Sequence, residues 1–311
     1  MNTFSSSSAP ICTPSRGGLL TGRLPRRFGM TANSLPWRVL ITLNQPGGLP
    51  AEELTIAEML KPAGYATGMS GKWHLGINNM THMGAHLPVS HGFDSYVGIP
   101  FTNLHQCEVG HEDKTFCVLM ANNTVVEQPT IYSNLTYVLT DHAVSFISRQ
   151  AQAQQPFFFL MSFVHVHSPL FTSPAFTNVS KGGRFGDNTE EMDWAVGKVL
   201  KALDATSQTN NTLVFFVSDN GPFAEEGWDN CGRTGGLKGS KGQTYEGGIR
   251  VPGIVRWPGV SPAGLVSDTL ASSLVRKLKI ENRYFCSSPS FCRYWKFGDK
   301  RTLLCLRATS G

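Results

Sequence analysis

Residues 156–169 read Pro-Phe-Phe-Phe-Leu-Met-Ser-Phe-Val-His-Val-His-Ser-Pro, an apolar run interrupted by Ser162 and ended by two histidines. It is too short to cross a bilayer and reads as a buried strand. Before it, Leu135, Val138, Leu139, Ala143, Phe146 and Ile147 recur at helical spacing. The order then repeats: Met192, Val196, Val199, Leu200 and Leu203 mark a helical face, and the β-rich run 213–217 ends in Ser218-Asp219-Asn220. Upstream, Thr55-Ile56-Ala57-Glu58 has the form of a capping box. That helix continues through Met59 and Leu60, closes at Pro62 and Gly64, and leads to a short strand over 65–69. This alternation predicts an α/β domain with a mainly parallel or mixed central sheet flanked by helices on both faces. Ligands of such sheets gather beyond the carboxyl ends of the strands, where several polar clusters of this chain fall.

Gly71-Lys72-Trp73-His74-Leu75-Gly76 sets a cation and an imidazole two residues apart, so an extended backbone turns both to one side. His165 and His167 stand where the apolar run gives way; His165 suits a strand cap better than His167 does. Asp219-Asn220-Gly221 is either a plain Asx turn or a pair of hard oxygen ligands for calcium or magnesium. The run 239–248, Gly-Ser-Lys-Gly-Gln-Thr-Tyr-Glu-Gly-Gly, carries Lys241 among glycines that let backbone approach an anion. Residues 12–23 read Cys-Thr-Pro-Ser-Arg-Gly-Gly-Leu-Leu-Thr-Gly-Arg. A lone Cys12 would ordinarily be a buried thiol or half a disulfide, and Arg16 lies one helical turn after it.

The 12–23 run, the Gly-Lys-Trp-His-Leu-Gly element, the His-Val-His-Ser-Pro element and Asp219-Asn220-Gly221 together resemble the signatures of the type I sulfatases. The likeness covers roughly 9–273 and leans towards the steroid sulfatase and arylsulfatase branch, through 157–160, 190–194 and 248–254. It implies an alkaline phosphatase-like fold and a sulfuric ester hydrolase in which a formylglycine-generating enzyme oxidises Cys12 to formylglycine (3-oxoalanine). The hydrated aldehyde attacks sulfur through one hydroxyl, and the other later expels sulfate. In the same scheme Arg16 reaches the diol, and Lys72 and Lys241 bind the sulfate. His74 bonds the diol, while His167 helps to protonate the leaving alcohol or phenol. Asp219 and Asn220 hold a divalent cation, usually calcium, and Thr102 lies near the sulfate. A sulfated small molecule or sulfated sugar is the implied substrate.

Composition agrees with an ordinary globular chain: 311 residues at 41% hydrophobic content can bury a sizeable core. The formal charge of +5 is misleading, because residues 274–311 hold nine Lys or Arg against two acidic residues and leave the rest slightly acidic. No nucleic-acid footprint follows, and no apolar run reaches the length of a membrane span. Five sequons, at Asn79, Asn122, Asn134, Asn178 and Asn210, favour the secretory pathway, lysosomal or extracellular, although the chain opens without a signal peptide. Cys107 and Cys117 are candidates for closing a loop there.

Two departures from the resemblance set further expectations. The family's first strand carries paired aspartates that complete the metal site, yet the eleven residues before Cys12 hold no aspartate. The expectation is a partial catalytic domain over 1–273, with its first strand and C-terminal subdomain missing, a half-built metal site and unpaired backbone at the centre of the sheet. The basic, cysteine-containing tail over 274–311 shows no clear periodicity and reads as foreign to the family pattern. A sulfatase-like fragment that binds sulfated ligands without turnover is the alternative. Related phosphatases are a third reading, against which the cysteine signature speaks.

Overall fold

A computed structural model of the chain describes residues 3–31, 45–224, 227, 230–267, 271–274 and 302–309. The elements run β1 (Thr3–Ser6), α1 (Cys12–Thr21), α2 (Ile56–Leu60), β2 (Ala66–Gly71), β3 (Ser95–Gly98), β4 (Leu119–Ala121), β5 (Thr124–Glu127) and α3 (Tyr132–Gln152). They continue as β6 (Phe157–Ser162), α4 (Gly183–Ala205), β7 (Thr212–Ser218), α5 (Glu246–Ile249), β8 (Arg250–Arg256), β9 (Ala271–Ser272) and β10 (Thr302–Ala308). One ten-stranded sheet has the order β5-β4-β3-β2-β6-β10-β7-β8-β1-β9. Its centre, β3-β2-β6-β10-β7, is parallel throughout. β4, β5 and β8 add antiparallel pairings towards the edges.

The predicted elements form for the reasons given. The Thr55 side chain accepts from the Glu58 backbone N–H, and Glu58 returns the bond to the Thr55 N–H, so the capping box starts α2. Gly22, left-handed at φ 66°, closes α1 by donating to the Gly18 carbonyl. Period-two alternation sorts the strands: Phe157, Phe159, Met161, Leu304 and Leu306 pack beneath α3 and α4. Phe158, Leu160, Met69 and Cys305 face α1 and α2. Burying each of the β6 phenylalanines contributes roughly 2 to 3 kcal/mol of transfer free energy, and both of these faces are closed to water.

The centre of the sheet corrects one expectation. Instead of unpaired backbone between β6 and β7, β10 runs parallel to both, with Leu304 opposite Phe159 and Val214, and Arg307 opposite Ser162 and Val217. The tail had shown no periodicity, but Thr-Leu-Leu-Cys-Leu-Arg-Ala is apolar enough to be buried on both faces, as a central parallel strand requires. Its exit is tied down as well. Phe163 donates to the Arg307 carbonyl at 2.7 Å, and Asp219 donates to that of Ala308 at 3.2 Å.

Candidate active site

The carboxyl ends of β2, β6, β10 and β7 lie side by side, and the amino end of α1 sits against them. Alternation fixes what each strand offers there. Phe158 and Leu160 face α1, so Ser162 does too; Cys305 brings Arg307 to that side, and Phe215 brings Asp219. Gly71, at φ 102°, lets β2 turn over β6, because a Cβ there would stand 1.8 Å from the Ser162 carbonyl. Lys72 follows directly. A Cβ on Gly221 would likewise meet the Gly247 carbonyl at 1.8 Å, so the Asp219-Asn220-Gly221 turn nests against α5, while the Lys241 N–H donates to the Pro222 carbonyl at 2.9 Å. Gly242 donates to the Pro10 carbonyl at 2.7 Å and joins that loop to the start of α1.

Cys12 opens α1 and is 2% exposed. Burial works to raise its thiol, but Lys241 and Lys72 outweigh it, against the opposing Asp219 and with His167 adding to the lowering, and bring the pKa from 9.0 to about 5. A helix amino terminus favours the same anion. Unmodified Cys12 is therefore a thiolate at neutral pH. We predict that thiolate ultraviolet absorbance, read as the difference from a Cys12→Ala variant, disappears on acidification with a midpoint near the same pH of about 5. A midpoint near 9.0, the ordinary thiol value, would refute the cationic nest.

Arg16, 3% exposed, donates to the Lys72 carbonyl at 2.7 Å and to Ser162 Oγ at 2.6 Å, and pairs with Asp219 Oδ2 at 3.3 Å. Burial pushes the Asp219 carboxyl up, but Arg16, then Arg307, Lys72 and Lys241, hold it below its ordinary range. Lys72 is fully buried, and burial brings its ammonium down to about 7, against the pull of Cys12. Among the described residues its Nζ has no hydrogen-bond partner, and neither ring nitrogen of the buried His74 has one. Burial, with Lys72 and Arg16, keeps His74 neutral. Its backbone, at φ 61°, is fixed by a bond from Thr13 Oγ1 to its carbonyl, and its ring meets Phe101 edge-on.

His167 donates from Nδ1 to the Ser168 carbonyl, so in the neutral ring Nε2 must accept. Lys241 Nζ supplies that bond at 3.0 Å. Burial, then Lys241 and Lys72, lowers the imidazole to about 3. Neutral His167 therefore meets the Lys241 ammonium through its Nε2. His165 turns away, its Nε2 bonded to Thr136 Oγ1 at 3.1 Å and its ring against Phe171, as expected of a strand cap. Thr102, half-buried, donates to Asn103 Oδ1. Asn103 in turn donates to the carbonyls of His167 and Pro169, so Thr102 touches the histidine loop through its neighbour.

Asp219 and Asn220 stand together at the end of β7, with the Asn220 amide donating to the Gly221 carbonyl at 2.9 Å. A calcium ion takes six to eight oxygen ligands. Here the one carboxylate is already engaged by Arg16, and Arg307 lies on the same side. Among the described residues no group of three or more His, Cys, Asp or Glu side chains converges on one point. The pair does not by itself fit the hard cation expected of it.

Sequence reasoning missed Ser162, Asn103, Ser15 and Arg307. Ser162 had left a signal as a polar residue inside an apolar strand. Arg307, 2% exposed, donates to Ser15 Oγ at 3.0 Å.

The Sulfatase family model matches residues 1–276. An arylsulfatase of Hemicentrotus pulcherrimus is 45% identical over 276 residues, 84% of this chain and 48% of the relative. A steryl-sulfatase of Rattus norvegicus is 38% identical, over 83% of this chain and 56% of its own length. The crystal structure of the PsFucS1 sulfatase from Pseudoalteromonas sp. superposes with a TM-score of 0.71 at 29% identity, covering 87% of this chain and 56% of that one. The chain spans about half the length of the curated relatives it matches. With its helix-flanked mixed sheet and this extent of identity, the chain belongs to the sulfatase family, in the arylsulfatase branch, and shares the alkaline phosphatase-like fold.

Proposed function

We propose that the protein hydrolyses sulfate monoesters at the carboxyl edge of its sheet, using an aldehyde-bearing residue formed from Cys12 by a formylglycine-generating enzyme. One observation carries this reading: a buried thiol inside the family's signature faces two lysines, with Lys72 and His74 nitrogens beside it that have no hydrogen-bond partner among the described residues. When formed, the hydrated aldehyde supplies the hydroxyl that attacks sulfur and the one that releases sulfate. The chain's own residues do the rest. Lys72 and Lys241 bind the sulfate oxygens and offset charge growing on the bridging oxygen. Burial holds the Lys72 ammonium below the ordinary lysine range, and the Lys241–His167 pair offers a proton donor to the leaving group. Asp219, kept ionised, accepts a hydrogen bond from the attacking hydroxyl, and Arg16 fixes its orientation.

Charge counting supports an anionic substrate. Arg16, Lys72, Lys241 and Arg307 face Asp219 and the Cys12 thiolate; conversion of the thiolate to a neutral aldehyde leaves an excess of positive charge for a sulfate ester to meet. The destination we propose is the secretory pathway. In support, all five sequon asparagines are exposed and Cys107–Cys117 forms a disulfide. Among the described residues no helix is long and apolar enough to cross a membrane. The test is 4-nitrophenyl sulfate hydrolysis by protein made with and without a co-expressed formylglycine-generating enzyme. Turnover that depends on the modifying enzyme is expected; equal rates, or none from either preparation, would overturn the reading.

A further inference from the structure

We infer that the guanidinium of Arg307, delivered by β10, serves as a built-in cation beside Asp219 and makes sulfate binding at this site independent of a divalent metal. The inference rests on the proposed sulfate site. β10 fills the central slot where the resemblance puts an aspartate-bearing strand, and its residue facing α1 beside Ser162 and Val217 is an arginine. Its side chain is buried and anchored through a bond to Ser15 Oγ, inside the first turn of α1 and three residues after Cys12. Its Nε has no hydrogen-bond partner among the described residues, which leaves a buried donor for an incoming oxygen.

Electrostatics point the same way. Arg307 draws the Asp219 carboxyl down, second only to Arg16, and is itself raised by Asp219, then by Cys305 and Cys12. Burial, and next Arg16, brings the guanidinium to about 10, so it stays charged at neutral pH. A second carboxylate at this register would recruit a hard cation, whereas a guanidinium repels one and binds a tetrahedral oxyanion directly through planar N–H donors. One covalently held positive charge replaces a bound one.

The experiment is calorimetric titration of inorganic sulfate into the full chain, in EDTA and again with added calcium, for the wild type, Arg307→Lys and Arg307→Gln. Wild-type affinity is expected to be the same in both buffers. Arg307→Gln should weaken it by about tenfold, the loss of one charge-assisted bond, while Arg307→Lys keeps most of it. Sulfate binding that needs calcium, or that is unchanged in Arg307→Gln, overturns this inference and leaves the sulfate site standing. No binding by any form in either buffer overturns both. Should Arg307→Gln fail to fold, the wild-type comparison between EDTA and calcium still decides.

Discussion

Cys12→Ala is expected to abolish sulfate-ester turnover, lowering kcat by about 10⁴-fold or more, as loss of a nucleophile does when the remaining groups act with it as a unit. The protein should still fold, because the change removes a single buried sulfur atom at the start of α1. It should also bind sulfate about tenfold more tightly than unmodified protein, because the thiolate that neutralises Lys241 and Lys72 is gone. The two effects have opposite signs. A general loss of structure would weaken both turnover and binding, and a thiol that played no electrostatic part would leave affinity unchanged. Sulfate affinity equal in Cys12→Ala and unmodified protein would therefore sink the claim that the anion shares the thiolate's partners.

Arg16→Met is expected to cost about 3 kcal/mol or more of stability, because removal of one partner leaves a buried carboxylate short of its counter-charge. Both members of the pair are almost wholly buried, at 3% and 0% exposure, and Arg16 also holds the Lys72 carbonyl and Ser162 Oγ. Arg307, Lys72 and Lys241 remain near Asp219, which places the cost at the lower end of the usual range. The pH dependence has a definite sign. Asp219 is held below its ordinary 3.8, so its contribution is present above that value and is lost as pH falls through the lowered folded value. In Arg16→Met the carboxyl rises and takes up its proton sooner. The stability gap between variant and wild type should therefore narrow on acidification and be widest at neutral pH. Urea unfolding at several pH values measures this, and a second substitution, Asp219→Asn, should recover part of the loss at neutral pH. A gap independent of pH would mean that Arg16 acts by packing alone.

Most of the architecture was legible because the chain alternates helical and apolar β-rich runs, and such runs have few ways to be buried. Thr55 and Glu58 gave the start of α2, and the phenylalanines of 157–159 gave the central strand. The site was legible where short signatures fix backbone and side chain together, as at Cys12 to Arg16 and Lys72 to His74. Two things were not. β10 is seven residues long and far from its partners in sequence; nothing local says that Leu304 will lie between Phe159 and Val214. The protonation state of His167 was equally hidden, because it follows from a bond between Nδ1 and its neighbour's carbonyl and from a lysine 74 positions away. Asn103 shows the same limit on a smaller scale. Thr102 drew attention by resemblance, but the amide beside it reaches the histidine loop.

Peptide mass spectrometry of the segment 1–16, from protein made alongside a formylglycine-generating enzyme, tests the account most directly. Position 12 should carry an aldehyde that traps a hydrazine probe and has lost its sulfur. An intact, alkylatable thiol there, in protein whose modifying enzyme is demonstrably active on another substrate, would contradict it.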